Sequence, residues 1–316
     1  MTTAVAETPK FTTVKPHPKC VSLTKKMLAK FRQLPPFDCR EVRFDLSVPD
    51  MDLRQYDWIV VNTSGGKDSI TIMRHIVALA TIQGVLDRVM SVHCDLKAAE
   101  WYGTKELAKA HADYYGIKFV VVTRPQGDLI QDIRHRGKFP ARGSRYCTSH
   151  HKRGQVLKLF TFPARKTRTE KYKQKVRILN VMGHRHDESC DREQLLPFNP
   201  NWKPGQISNS LRQVDYWYPI HHWKVEQTWA DIHASNVPYH YAYDLGMTWL
   251  SCVFCVFGTK AGFLIAGYYN PELLCVYCGI EEETGFRFQH RLSLTMIRDQ
   301  LQAGVKPPAA SGDWKM

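Results

Sequence analysis

Six residues, Ser64-Gly65-Gly66-Lys67-Asp68-Ser69, limit the possible folds of this chain more than any other segment. A short β-rich run, Trp58–Asn62 (WIVVN), precedes them and an apolar-periodic stretch, Ile70–Ala80, follows. The order reads strand, glycine loop, helix. In a parallel sheet such a loop lies at the carboxyl end of its strand, where the sheet offers a crevice for ligands. Two glycines let the backbone approach a phosphate, the first amides of the helix lack intrahelical partners, and the helix dipole favours an anion there. Ser64 and Ser69 add hydroxyl groups and Lys67 a mobile positive charge. Asp68 suits a helix cap or a Mg2+ ligand. The spacing G-x-x-x-x-G-K-[ST] is absent, so this is not a Walker A loop.

Further strands are expected at Val89–Cys94, Lys118–Val122 and Ile178–Met182, with helices at Ser22–Leu34, Ala98–Tyr115 (stopped by Gly116) and Val225–Ser235. Strands alternating with helices predict an α/β fold: an open parallel sheet with helices on both faces. Residues 196–218 read as a loop-rich excursion. The expected organisation is an N-terminal extension (1–50), a nucleotide-binding domain (51–250), a cysteine-rich helical region (251–302) and a disordered tail (303–316).

No apolar run reaches the ~18 residues needed to span a bilayer, and the N-terminal residues lack the apolar core of a secretory signal. A reducing cytoplasm is therefore expected, in which nine cysteines point to metal or redox chemistry rather than disulfides. Cys252-x2-Cys255 and Cys275-x2-Cys278 have the paired spacing of a four-thiolate site, for zinc or an iron–sulfur cluster. The alternative is that Cys275 and Cys278 only pack a helix. Cys20, Cys39, Cys94 and Cys190 have no partner spacing and read as structural. His150-His151 and His221-His222 lack helical ligand spacing and read as surface or core residues. The net charge of +14 and pI near 9.3 favour a polyanionic partner. The basic stretch Pro163–Arg177 is either a nucleic-acid-binding arm or a solvated face.

The complete SGGKDS loop resembles the signature of the PP-loop ATP pyrophosphatases, with their adenine nucleotide alpha hydrolase-like fold. Three other segments resemble the phosphoadenosine phosphosulfate (PAPS) reductase branch. Arg145-Tyr146-Cys147-Thr148 followed by Lys152 is similar to its R-x-C-T-x-x-x-K segment. Gly183-His184-Arg185-His186-Asp187-Glu188-Ser189 with Arg192 is similar to G-x-R-x-x-E-S-x-x-R. Pro219-Ile220-His221-His222-Trp223, Gly246 and Cys252-Val253-Phe254-Cys255 are similar to P-I-x-x-W … G … C-x-x-C. The likeness spans about residues 55–290.

The resemblance implies that Ser64 to Ser69, Asp95, Gly183, Arg185 and Arg192 hold the nucleotide. It implies catalytic roles for Lys67, Asp68, Cys147, Arg185 and Glu188, with ATP, Mg2+ and a [4Fe–4S] cluster as cofactors. In iron–sulfur members Cys147 would join Cys252 and Cys255, which competes with the four-cysteine set; zinc is the alternative metal. The reductases' terminal E-C-G-[IL]-H motif is missing: Cys278-Gly279-Ile280 lies between Tyr277 and Glu281. The expected activity is therefore adenylation-coupled sulfur transfer to a nucleic acid, DNA or tRNA. A sulfur-donor protein would be a partner, and the chain would be closest in kind to DNA phosphorothioation proteins. The alternatives are a PAPS or adenosine phosphosulfate reductase, and a non-enzymatic nucleotide- and nucleic-acid-binding protein.

Overall fold

The β-branched runs of the sequence become the parallel strands of one sheet. The structure, a computed structural model, describes residues 11–161, 174–201 and 207–308. The strands are β1 (Trp58–Thr63), β2 (Val89–Cys94), β3 (Lys118–Val122), β4 (Val176–Val181), β5 (Phe198–Asn199) and β6 (Arg212–Trp217). Their order is β3-β2-β1-β4-β6-β5, parallel except for the short antiparallel β5. This is the expected α/β architecture, an open, mostly parallel sheet with helices on both faces.

Alternation along the strands decides which side chain packs on which face. Ile59, Val61, Leu179, Val181 and Trp217 face Ile72, Met73, Ile76 and Val77 of α2 (Lys67–Ile82). Val60, Met90, Val92, Ile178 and Val214 face the opposite way, toward Val156 and Phe160. Both faces are covered, so the central strands are mostly apolar, and the polar residues within them, such as Ser91, Asn180 and Asp215, are buried.

The connection after β3 runs through α4 (Leu129–Arg136) to α5 (Tyr146–Thr148), a π-helical turn at Ser149–Arg153 and α6 (Gly154–Leu159). A third core joins α1 (Pro18–Ala29) and α3 (Thr104–Tyr114) to α8 (Val225–Ser235) and to the C-terminal helices α9 (Lys260–Tyr269), α10 (Pro271–Thr284) and α11 (Leu294–Gln302). Between β4 and β5 lies one turn, α7 (Cys190–Glu193). Glu281 on α10 is buried and accepts from the amides of Phe288, Leu294 and Thr295, which fixes the start of α11.

Two expectations are corrected. Residues 196–218 are not all loop, because Arg212–Trp217 forms an inner strand between β4 and β5. Helix α3 begins at Thr104 rather than Ala98, because Gly103 takes a left-handed φ of 91° and the preceding Lys97–Ala99 is a 3-10 turn. Residues 163–173 of the basic stretch and 309–316 of the tail lie outside the described residues. No helix among the described residues is long and apolar enough to cross a membrane.

The sheet order sets the position of the crevice. From β1 the chain moves outward to β2 and β3, then returns to β4 on the other side of β1. The carboxyl ends of β1 and β4 form the switch point at which such sheets take ligands. Gly183 follows β4 there, and a Cβ on it would sit 2.9 Å from the Asp68 carbonyl oxygen. That neighbour is backbone and cannot rotate away. Gly183→Ala is therefore expected to cost about 1–3 kcal/mol, read from urea unfolding; a variant as stable as the parent would show that the two loops are free to separate.

Candidate functional site

The loop after β1 is built to bring backbone close to whatever fills the crevice. Gly65 has φ 69°, in the left-handed region, and a Cβ there would press against Thr104. Gly66 begins α2 without a side-chain cap. The loop amides are not all directed outward as expected. Ser64 N–H donates to Ser69 Oγ, Gly65 N–H to Thr63 Oγ1, Gly66 N–H to Ser64 Oγ and Lys67 N–H to the Tyr243 hydroxyl at 3.0 Å. Ser69 Oγ donates to the Gly66 carbonyl at 2.8 Å. Ser69 thus closes the loop from within.

Lys67 is not a mobile surface charge either. It is 1% exposed, and its Nζ lies 3.0 Å from Asp68 Oδ2. Asp68 Oδ1 accepts from Arg185 Nε at 2.7 Å. Burial alone would raise the Asp68 carboxyl, but Lys67 and Arg185 outweigh it and hold it below the ordinary carboxylate range. Each Asp68 oxygen thus accepts from one cation, Oδ2 from Lys67 and Oδ1 from Arg185.

The loop after β4 supplies the other half. Arg185 is fully buried; besides Asp68 it pairs with Asp187 at 2.5 Å, and its backbone N–H donates to Glu188 Oε2 at 3.0 Å. Glu188 also pairs with Arg192. The segment rests on Pro219–Trp223: His186 N–H donates to the His221 carbonyl, and the His221 ring contacts the Arg192 carbonyl. Arg185 keeps one terminal nitrogen with no partner, a buried donor costly to leave unmet. Arg145 and Arg192 both act electrostatically on His184, which stacks on Tyr218 at 5.1 Å. Burial, aided by Arg192 and Arg145, pushes His184 down to about 3, so its imidazole is neutral. Lys67, Arg145, Arg185 and Arg192 thus converge on one crevice, an arrangement suited to phosphate or sulfate oxygens.

Asp95 ends β2 as expected, but it is occupied. It accepts from Lys97 N–H at 2.8 Å, Lys97 Nζ at 3.0 Å and Lys105 Nζ at 3.3 Å. Burial works to raise it and these donors prevail, so its carboxyl titrates below the usual range.

Among the cysteines, Cys147, Cys252 and Cys255 lie close enough to act on one another, beside half-buried Lys152. Burial pushes the Cys252 thiol up to about 12, with Lys152 opposing. Cys94, read from sequence as structural, belongs to the same neighbourhood: its Sγ lies 3.8 Å from the Lys152 carbonyl. Glu100 bridges to Cys252 through the backbone and pairs with His93 at 3.0 Å. Cys275 is exposed, and Cys278 is buried against Thr295 on α11. No group of three or more His, Cys, Asp or Glu side chains stands in metal-holding geometry among the described residues. That holds for Cys252, Cys255, Cys275 and Cys278 and equally for Cys147 with Cys252 and Cys255; Cys278, in addition, turns toward α11. Three thiols at Cys147, Cys252 and Cys255 are the donor type that a thiolate-bound centre requires, drawn from two segments that meet here.

His150 and His151 do not face solvent freely. Their rings lie 3.1 and 3.2 Å from buried Asp132, which also pairs with Arg124 and Arg136. That hub anchors the π-turn just after Cys147. Tyr243 is a site residue whose placement the sequence did not signal, since it meets the loop from a distant segment.

The phosphoadenosine phosphosulfate reductase domain family matches residues 58–257, well over half of the chain. No curated protein matches it. Among solved structures, Candida glabrata FMN adenylyltransferase is 14% identical with a TM-score of 0.39, covering 74% of this chain and 61% of that one. The chain thus spans about three fifths of that protein. Candida auris phosphoadenylyl-sulfate reductase, as a phosphate complex, is 13% identical with a TM-score of 0.40, covering 77% and 98%. The U34-tRNA thiolase NcsA from Methanococcus maripaludis, with its [4Fe-4S] cluster, is 12% identical with a TM-score of 0.37, covering 93% and 84%.

Two measurements probe the site. Lys67→Ala removes one partner of a buried ion pair and is expected to cost on the order of 3 kcal/mol, read as a lower urea midpoint; an unshifted midpoint would mean that Lys67 is not held by Asp68. Asp95 has a depressed folded-state pKa, so its contribution is fully present above the unfolded value of about 3.9 and is lost as pH falls through the lower folded one. Asp95→Asn should therefore lose less stability than the parent as pH is lowered below 4. Parallel acid limbs for the two proteins would refute this.

Proposed function

Because the chain belongs to the phosphoadenosine phosphosulfate reductase domain family, we propose that it binds ATP over the Ser64–Ser69 loop and catalyses adenylation-coupled sulfur transfer to a nucleic acid. The observation that carries the reading is the convergence of Lys67, Arg145, Arg185 and Arg192 on the switch-point crevice, next to three mutually close thiols.

In the proposed reaction an oxygen of the substrate attacks the α-phosphorus of ATP. A P–O bond forms to the substrate, the α–β anhydride bond breaks, and pyrophosphate leaves. Arg185 and Arg192 stabilise the charge that accumulates on the leaving oxygens, and the partnerless nitrogen of Arg185 gains an acceptor. Glu188 holds Arg192 and the Arg185 backbone in place. Neutral His184 contributes no charge of its own. A sulfur nucleophile carried at the thiol cluster then displaces AMP, so the carbon–oxygen bond to AMP breaks as the carbon–sulfur bond forms. Cys147, Cys252 and Cys255 would hold an iron–sulfur cluster. When bound, such a centre supplies a site at which inorganic sulfide can be presented. Mg2+ accompanying the triphosphate would screen its charge, with Asp68 the carboxylate paired with both Lys67 and Arg185. Catalytic roles for Lys67, Asp68 and Cys147 remain part of this proposal.

The three thiols also suit the second reading, reduction of an adenylyl sulfate, in which a thiol attacks the sulfonyl sulfur. The two readings part on products. Sulfur transfer releases pyrophosphate from ATP, faster when nucleic acid is added; reduction releases sulfite from an adenylyl sulfate and consumes a dithiol. Arg192→Ala should lower pyrophosphate release about 100-fold. Sulfite production without pyrophosphate release would replace the first reading with the second, and neither product would leave a nucleotide-binding protein.

A further inference from the structure

One large apolar side chain beside the thiol cluster is turned outward. In Cys252-Val253-Phe254-Cys255-Val256-Phe257, Val253, Phe254 and Val256 are buried, while Phe257 is 38% exposed. Its position is enforced. Gly258 N–H closes a tight turn onto the Cys255 carbonyl at 2.7 Å, and a Cβ at Gly258 would collide with the Phe263 ring at 2.3 Å. Gln289 clamps the same turn, its side-chain amide donating to the carbonyls of Val256 at 2.8 Å and Gly258 at 2.9 Å. Phe257 is thus the tip of a rigid turn.

Two cations lie against the ring. Arg142 and Arg145 place their guanidinium carbons 5.6 and 5.7 Å from its centroid, within cation–π range. Both arginines are exposed and stand on a turn closed by the Ala141–Ser144 bridge. The Gln289–Leu292 bridge carries His290 and Arg291 at its tip, both exposed. Gln289 ties that second turn to the one bearing Phe257. Residues 141–145, 256–260 and 289–292 contain no acid. Arg145 also acts on His184 and Arg192 in the crevice, so the surface is continuous with the candidate active site.

An exposed aromatic ring beside cations is the chemistry that takes a nucleobase on its face and the adjoining phosphates on its flanks. A base can reach such a ring only when unstacked from its neighbours, which favours a single strand over a duplex. We propose that Phe257, with Arg142 and Arg145 and extended by His290 and Arg291, is a stacking platform that seats an unpaired segment of nucleic acid at the mouth of the crevice. This inference rests on the sulfur-transfer reading and specifies its substrate as single-stranded at the point of reaction. None of its residues belongs to the basic stretch at 163–177.

The test is binding of a fluorescent single-stranded oligonucleotide and of the matching duplex to the intact chain, followed by anisotropy at several salt concentrations. The parent should prefer the single strand. Phe257→Ala should weaken that binding about tenfold with an unchanged salt slope, while Phe257→Trp should retain it. Arg142→Gln should make the salt slope shallower, because one phosphate contact is lost. A 5-bromouridine strand irradiated on the parent should crosslink at or next to Phe257, mapped by mass spectrometry. Thermal melting of each variant verifies the fold. If the parent binds a single strand and Phe257→Ala binds it within twofold, the platform is wrong and the sulfur-transfer reading survives. Tighter binding to the duplex also overturns the platform. If the parent binds neither strand form, the nucleic-acid reading fails and the platform with it.

Discussion

The carboxylate of Asp68 is held between two cations from different places in the chain, and the rest of the site depends on that contact. Lys67 approaches from the neighbouring residue and Arg185 from the loop after β4, more than 100 positions later. Removing a carboxylate from water is costly unless its charge is matched. The match here joins the ends of β1 and β4, the two strands that flank the switch point. Gly183 is required by the same closeness, since only a residue without a Cβ lets the second loop lie against the Asp68 carbonyl. Arg185 then orders Asp187 and, through its backbone, Glu188, which in turn sets Arg192. One buried ion pair thereby positions a row of cations along the crevice.

That row carries a positive surplus that the protein does not neutralise internally. Asp68, Asp187 and Glu188 are each committed to arginine or lysine, while Arg145 has no carboxylate partner among the described residues and Arg185 has an unmet donor. His184 is kept neutral in the middle of this charge. The thiols alongside are protonated in the free chain: burial raises Cys94, Cys147 and Cys252, against the pull of Lys152. An anionic ligand therefore finds fixed cations, and a soft metal would find thiols that must first give up protons.

Much of the fold could be read from the sequence because β1, β2 and β4 are buried on both faces and so appear as mostly apolar runs. Strand β6 escaped that reading for a physical reason. Its residues RQVDYW include Arg212 and Asp215, which look solvent-exposed in sequence but are buried and hydrogen-bonded, Asp215 to the Tyr56 hydroxyl and Arg212 to the Ile207 carbonyl. The phosphate-loop motif located the crevice correctly, yet not the state of its lysine, because nothing local to SGGKDS announces that Arg185 will cover Asp68. The cysteine spacing misled in the same way. Two C-x-x-C pairs suggest one centre, but side-chain direction on α10 sends Cys278 toward α11, and Cys147 arrives from a segment a hundred residues earlier.

The placement of α1 has a consequence for how the chain acquires its shape during synthesis. Cys20 on this helix donates to the Tyr269 carbonyl, and Lys15 just before it donates to Glu272. These partners are separated by about 250 positions, so at ribosomal speeds the first helix waits on the order of ten seconds or more before they emerge. Thr24 can meet Tyr102 earlier, which gives the helix a provisional berth on α3. The contacts of Cys20 and Lys15 stay unmade until the last third of the chain is synthesised, and nascent chains in that interval present an incompletely docked helix of the kind that chaperones shield.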